Sequence, residues 1–333
     1  MTVPGPFRTM KATLANPEGS PMTESVSSPS GDGSPAPPDA AAGRARWAPY
    51  AELTKPGLTS LVLITTGLGY LLASRGPTNW FGLVCAVAGT ALVGGGANGL
   101  NQWWERERDA RMRRTKDRPF PSRRISTAGG VTFSIAISIL GVALLAVTAN
   151  ALTAWLAFAS WAVYLFLYTP LKPRTTLNTL VGAISGAIPP MLGWTAASGR
   201  VEAGAWVLFA ILFVWQIPHF LAIAWLYRAD YEAGGFRMLP VVDPAGRATF
   251  RVAVFYCVGL LPVTWSASLV GISGWIYLLG STLLGVGMLR YGLRLYREGT
   301  AEAARNLFLT SIAYLPALFL VMLLDPTRLP RFS

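Results

Sequence analysis

Nine long apolar runs punctuate this chain, and they leave few folds open to it. They fall at about 58–73, 80–100, 127–147, 152–168, 177–197, 205–225, 252–270, 275–291 and 307–324. Each is close to the roughly 17–25 residues that cross the hydrocarbon layer as a helix. Lipid offers no partner for backbone N–H and C=O groups, so such runs span as helices. Only 13% of the residues are charged and 52% are hydrophobic, far from the roughly 25% charged of a soluble domain. The sequence therefore predicts an all-α polytopic membrane protein with about nine transmembrane helices.

The basic residues test that count. With the amino terminus inside, the inner segments hold 24 of the 28 Lys and Arg residues, and the outer side keeps only Arg75, Arg200, Arg328 and Arg331. Cationic loops favour the cytoplasmic face, and a missed span would scramble this alternation. The net charge of +12 thus reads as membrane topology rather than a nucleic-acid surface. Residues 1–46 are rich in Pro, Ser, Gly and Ala and lack apolar periodicity, as a disordered cytoplasmic tail would be. The transmembrane domain is expected over 47–333, and the tail has no apolar core of a secretory signal. Cys85 and Cys257 both lie in apolar runs, where a cysteine acts as a small core residue. The single histidine, His219, excludes a multi-histidine metal site.

The stretch 101–124, NQWWERERDARMRRTKDRPFPSRR, concentrates the charge. It holds nine of the 28 basic residues and four of the 16 acids, directly after an apolar run. Asn101, Glu105 and Asp109 recur at every fourth position, so on a helix they share an arc of roughly 80°. Oxygen ligands spaced by one turn suit Mg²⁺, which takes one or two carboxylates plus substrate phosphates. Arg113, Arg114, Lys116 and Arg118 follow and could meet phosphate charge. A basic loop that only fixes topology is the plainer reading of the same residues. After the sixth run, the segment 215–243 brings Asp230, Glu232 and Asp243 to the same predicted side. Two such clusters could hold two Mg²⁺ ions around one diphosphate. A local ion pair with Arg228 is the alternative for Asp230.

These blocks resemble the UbiA-type intramembrane prenyltransferases and, within them, the protohaem IX farnesyltransferases. The first block is Asn101-x-x-x-Glu105-x-x-x-Asp109 with Arg114-Thr115-x-x-Arg118-Pro119. The second is Tyr168-Thr169-Pro170-Leu171-Lys172, with Leu177-Asn178-Thr179 and Gly186-Ala187-Ile188-Pro189-Pro190. The third is Trp215-Gln216-x-Pro218-His219-Phe220, with Asp230-Tyr231-x-x-Gly234-Gly235 and Met238-Leu239-Pro240. The likeness runs from about 53 to 325. Glu105 departs from the aspartate usual there, and Gly234 stands where the wider superfamily has a second acid after Asp230.

The resemblance implies helices around a central cavity and transfer of farnesyl from farnesyl diphosphate to a vinyl group of haem B, with water addition and diphosphate release. It implies Mg²⁺ as cofactor, held by Asn101, Glu105, Asp109 and Asp230, with Glu232 as an unassigned helper. Arg114, Arg118 and Lys172 would take the diphosphate. Tyr168 would stand near the reacting carbon or anchor at the interface. His219 would contact haem, through iron or a propionate, or bond a neighbouring helix. Trp103 and Trp104 fit interface anchors. The expected location is the cell inner membrane, or the mitochondrial inner membrane, with haem A synthase or oxidase assembly proteins as partners. Prenyl transfer to a quinone precursor is the alternative within the family. A transporter would be the alternative outside it, and would carry helices interrupted near the midplane.

Overall fold

The computed structural model describes residues 47–74 and 76–325; the expected disordered tail, 1–46, lies outside them. A short helix at 47–53 leads in. Nine long helices follow among the described residues: α1 (Pro56–Ala73), α2 (Trp80–Asp109), α3 (Thr127–Thr148), α4 (Ala151–Leu171), α5 (Asn178–Ser198), α6 (Ala203–Leu226), α7 (Arg247–Leu269), α8 (Trp275–Glu298) and α9 (Ala301–Leu324). By length and composition α2 to α9 are able to cross a membrane, while α1 carries a shorter apolar stretch, Thr59–Ala73. All nine expected runs recur, so the chain is a polytopic helical membrane protein.

Local chemistry sets the ends. Asn79, Ser126, Asn150 and Thr300 cap α2, α3, α4 and α9, each accepting a backbone N–H three residues on, as short polar side chains do at helix starts. Gly199 and Gly299 stop α5 and α8 in the left-handed conformation, which glycine adopts without a steric penalty. The main departure from expectation is α2. Its apolar run ends near residue 100, but the helix continues to Asp109, so the acidic motif takes the helical form that its fourfold spacing implies and extends the span beyond the apolar run. Likewise Arg290, Arg294 and Arg297 lie on α8 itself.

Small residues let the helices approach closely. Gly96 and Gly99 of α2 face Ser138 and Ser134 of α3, and Gly69 of α1 faces the Pro190 backbone of α5; a Cβ at any of these glycines would collide. The buried apolar core lies mainly among α6, α7, α8 and α9, around Leu208, Leu260, Met288 and Leu315. Helices α1, α2, α4, α5 and α6 enclose a cavity of about 290 Å³, in keeping with the expected central cavity.

Two irregularities shape that cavity. Within α4, Val163–Tyr168 winds as a π-helix, a form that recurs at functional sites. Thr169 closes it by donating both its amide and its hydroxyl to the Tyr164 carbonyl. Helix α5 breaks at Ile188, before Pro189, and so exposes Gly186 and Pro189 on the cavity wall. Proline at the start of the second half needs no N–H there.

Candidate active site

Asn101, Glu105 and Asp109 line one face at the end of α2 and are 1%, 4% and 1% exposed. Each meets a different partner. Asn101 donates to Thr169 Oγ1 at 3.0 Å, a position set by the π-helical turn. Glu105 faces Lys172, whose Nζ lies 2.9 Å from Oε1 and 3.0 Å from Oε2. Only the contact to Oε2 is aligned as a hydrogen bond, so buried Oε1 keeps an unused lone pair. Asp109 Oδ2 pairs with Arg118 Nη1 at 2.7 Å, and its carbonyl accepts from Thr115 Oγ1.

Lys172 is also stacked. Its ammonium sits 4.7 Å from the Tyr168 ring centre and 5.4 Å from that of Phe236, within cation–π range. Burial alone would lower its pKa, but Glu105 more than offsets this and holds it above the usual lysine range. The Glu105 carboxylate thus favours the charged form of Lys172. Tyr168 in turn packs where Gly182 leaves room and lines the cavity.

The loop after α6 is latched onto this arrangement. Arg108 donates to the carbonyls of Gly234 and Gly235, both at 3.1 Å. The Lys172 carbonyl accepts from Arg237 N at 2.8 Å, and Asn178 donates to the Arg237 carbonyl. All three sequence blocks therefore meet at one end of the helix bundle.

Not every expected residue joins the cluster. Arg114 lies over the Tyr227 and Tyr231 rings at 5.2 and 5.9 Å, and its amide approaches Asp230 Oδ2 at 3.4 Å. Asp230 lies in the short helix Arg228–Ala233, and Glu232 is exposed. Asp243 instead accepts from the Thr249 amide and hydroxyl, which assigns it to the start of α7. Among the described residues no three Asp, Glu, His or Cys side chains converge as a metal cage. Two buried carboxylates, an amide oxygen and an unused Oε1 lone pair still suit Mg²⁺, which completes its shell with substrate phosphates and water.

His219 lines the far wall of the cavity. Its ring stacks on Trp215 at 5.0 Å and stands 5.1 Å from Phe308. Nδ1 lies 2.7 Å from Ser311 Oγ on α9. The Ser311 hydroxyl proton is committed to the Phe308 carbonyl at 2.6 Å. With the hydroxyl so directed, Nδ1 donates to Ser311 Oγ and Nε2 is the ring's acceptor; the opposite tautomer reverses both roles.

Sequence reading missed the pair Asn98 and Gln102. Asn98 and Gln102 are polar residues four apart at the end of an apolar run, a signal that marks a helix face. Gln102 Nε2 donates to the Leu53 carbonyl at 2.8 Å, and Asn98 Nδ2 to that of Thr54 at 3.4 Å.

Residues 62–320 match the UbiA prenyltransferase family. The chain is 46% identical to protoheme IX farnesyltransferase of Solibacter usitatus, over 83% of this chain and 98% of that one. It is 42% identical to the mitochondrial protoheme IX farnesyltransferase of Arabidopsis thaliana, over 83% of this chain and 64% of that one. In fold it is similar to a digeranylgeranylglyceryl phosphate synthase structure, with a TM-score of 0.71, 17% identity and coverage of 84% and 98%. A UbiA homologue of Archaeoglobus fulgidus bound to GPP and Mg²⁺ superposes with a TM-score of 0.57, 14% identity and coverage of 83% and 100%.

Proposed function

The chain belongs to the UbiA prenyltransferase family, and on that footing we propose that it converts haem B to haem O by transferring the farnesyl group of farnesyl diphosphate. The observation that carries this is the placing of two buried carboxylates, each paired with a cation, beside an apolar cavity. The acceptor follows from the relatives' printed activity, protoheme IX farnesyltransferase.

The allylic C–O bond breaks, diphosphate leaves with its electron pair, and farnesyl C1 bonds the terminal vinyl carbon of haem. Water then adds to the resulting cation and loses a proton. Lys172 and Arg118 stabilise charge on the departing diphosphate. Both are near carboxylates before substrate arrives, so their positive charge is already fixed in place. Asn101, Glu105 and Asp109 would hold Mg²⁺, with Asp230 contributing from the short helix beyond α6. Mg²⁺ bound there would supply Lewis-acid stabilisation of the leaving group. Arg114 guards the outer edge, through Tyr227 and Tyr231. Walls such as Val62, Val93 and Leu192 exclude water from the farnesyl chain, and Tyr168 stands between them and the charged end.

His219 contacts haem through Nε2, the nitrogen that Ser311 leaves able to ligate iron or accept a hydrogen bond. The protein sits in the plasma membrane with its amino terminus in the cytoplasm, and passes haem O to haem A synthase or oxidase assembly proteins. The test is chromatography after incubation with haem B, farnesyl diphosphate and Mg²⁺. Haem O and equimolar diphosphate are expected. Release of diphosphate with haem unchanged would overturn the acceptor.

A further inference from the structure

We propose that Gln216 holds and orients the water that adds to the haem vinyl group during prenyl transfer. The inference deepens the prenyl-transfer reading above and rests on it.

The side chain is built into the cavity wall. Gln216 lies in α6, is 5% exposed, and lines the cavity beside Gly186 of α5. Its Nε2 donates to the Leu212 carbonyl at 3.0 Å and to that of Ala183 at 3.4 Å. Both neighbours are acceptors, so they assign the nitrogen to their side and the oxygen to the other. Among the described residues no donor meets Oε1. Nor is Oε1 sealed among protein atoms, so it opens on the cavity. A Cβ on Gly186 would collide with it; the glycine leaves the notch in which the amide oxygen sits. The other side-chain amide oxygen on the wall, Asn98 Oδ1, already accepts from the Tyr164 hydroxyl at 3.5 Å.

The reactants decide what such an acceptor can serve. A farnesyl chain is hydrocarbon and gives it no donor. The pyrrole nitrogens of haem hold iron, and ionised propionates are themselves acceptors. Water is the reactant with O–H bonds to donate. The position also fits. Gly182 makes room for the Tyr168 ring, and Gly186, four residues on, makes room for Gln216. Along α5 the two notches are about 6 Å apart. Tyr168 stands toward the charged end, where farnesyl C1 is released. The vinyl carbon that becomes cationic lies two bonds from C1, on the way to Oε1.

The step balances. Farnesyl C1 bonds the terminal vinyl carbon and leaves the cation on its neighbour. A lone pair of the water forms the C–O bond, Oε1 keeps one O–H, and the other proton goes to a second water. Without an oriented water the same cation loses a proton from the carbon that bears the farnesyl group. The product is then an alkene, lighter than haem O by one water. Both routes consume haem B and release diphosphate.

The experiment uses full-length protein with haem B, farnesyl diphosphate and Mg²⁺, as wild type, Gln216→Met, Gln216→Glu and Gly186→Ala. The ratio of haem O to the alkene is read by mass spectrometry, with diphosphate release and melting temperature alongside. Gln216→Met keeps the length without the polar atoms and should lower the ratio about 5- to 10-fold, the effect of losing one ordinary hydrogen bond. Gln216→Glu, a carboxyl that burial keeps neutral, returns an acceptor to the same place and should restore the ratio. If Gln216→Met fails to insert, Gly186→Ala, whose methyl displaces Oε1, carries the same readout and should shift the ratio the same way. Slower diphosphate release at an unchanged ratio would make Gln216 a brace between α5 and α6 and overturn the proposal. A wild-type protein that releases diphosphate and leaves haem unchanged would instead overturn the prenyl-transfer reading, and this inference with it.

Discussion

Lys172 Nζ lies within 3.0 Å of both Glu105 carboxylate oxygens, so a cation from the α4–α5 connection neutralises an acid on α2, 67 residues earlier in the chain. Both side chains are largely buried. Removing one partner of such a pair strands the other charge, at about 3–5 kcal/mol. Lys172→Met should therefore lower the melting temperature clearly, and Lys172→Met with Glu105→Gln should recover much of the loss. Equal destabilisation by the single and double variants would show that the pair contributes no coupling. The pair's pH dependence has a definite sign. Lys172 is raised in the folded protein, so its contribution is full below lysine's ordinary pKa and is lost only as pH rises through the folded value. Melting temperature should show no loss from this pair between about pH 6 and pH 9.

Asp109→Asn should cut haem O formation by about 10²–10³, the usual scale for losing an electrostatic contribution to leaving-group stabilisation. The amide keeps the shape that Arg118 meets. Asp230→Asn should act in the same direction, and Glu105→Asp should be milder, since it keeps the carboxylate. Haem O yield against magnesium concentration, at matched folded protein, is the measurement. Near-normal yield from Asp109→Asn would remove the residue from the metal site.

The loops 110–126 and 227–246 should face the same compartment, since Arg108, Gly234 and Gly235 join their bases. Single cysteines at Lys116 and Arg247, labelled with an impermeant reagent in intact cells and in inverted vesicles, check this. Both should label from the cytoplasmic side. Labelling from opposite sides would refute the nine-span topology.

Ser311→Ala should weaken haem B binding by about 10- to 100-fold if the serine fixes the tautomer of an iron-ligating His219. His219→Ala should abolish the imidazole signature in the haem absorption spectrum. A spectrum unchanged in both variants would leave His219 as a helix-to-helix contact only.

Removing residues 1–43 should leave membrane insertion and haem O yield largely intact. The family match begins at residue 62, and the tail's sequence lacks the apolar periodicity of a packed segment. Lost activity at equal protein level would give the tail a role in the reaction.

The spans were legible because hydrophobicity is local in sequence, and the shared face of Asn101, Glu105 and Asp109 was legible because helical period is local too. What those residues touch was not. The Lys172–Glu105 contact depends on how α4 crosses α2, and Arg114, expected at the diphosphate, is drawn outward by Tyr227 and Tyr231. Pro189-Pro190 marks the break in α5. The structure uses it to shape a cavity wall. The Asn98 and Gln102 contacts to Thr54 and Leu53 stayed hidden because they span more than forty residues.

The π-helical turn at Val163–Tyr168 has a consequence for how this chain can vary. One residue more or less in an α-helix rotates everything beyond it by about 100°. Deleting a single residue from this turn would let α4 relax to a regular helix of almost the same length, still able to span. Thr169 and Lys172 would keep nearly their present direction, because a π turn takes up one extra residue within almost the same rotation, but Thr169 would lose its two bonds to the Tyr164 carbonyl. The exposed turn around Gly199 takes part in none of these contacts. Within these six residues, a change of length disturbs the Tyr164 closure and, through Thr169, the contact with Asn101.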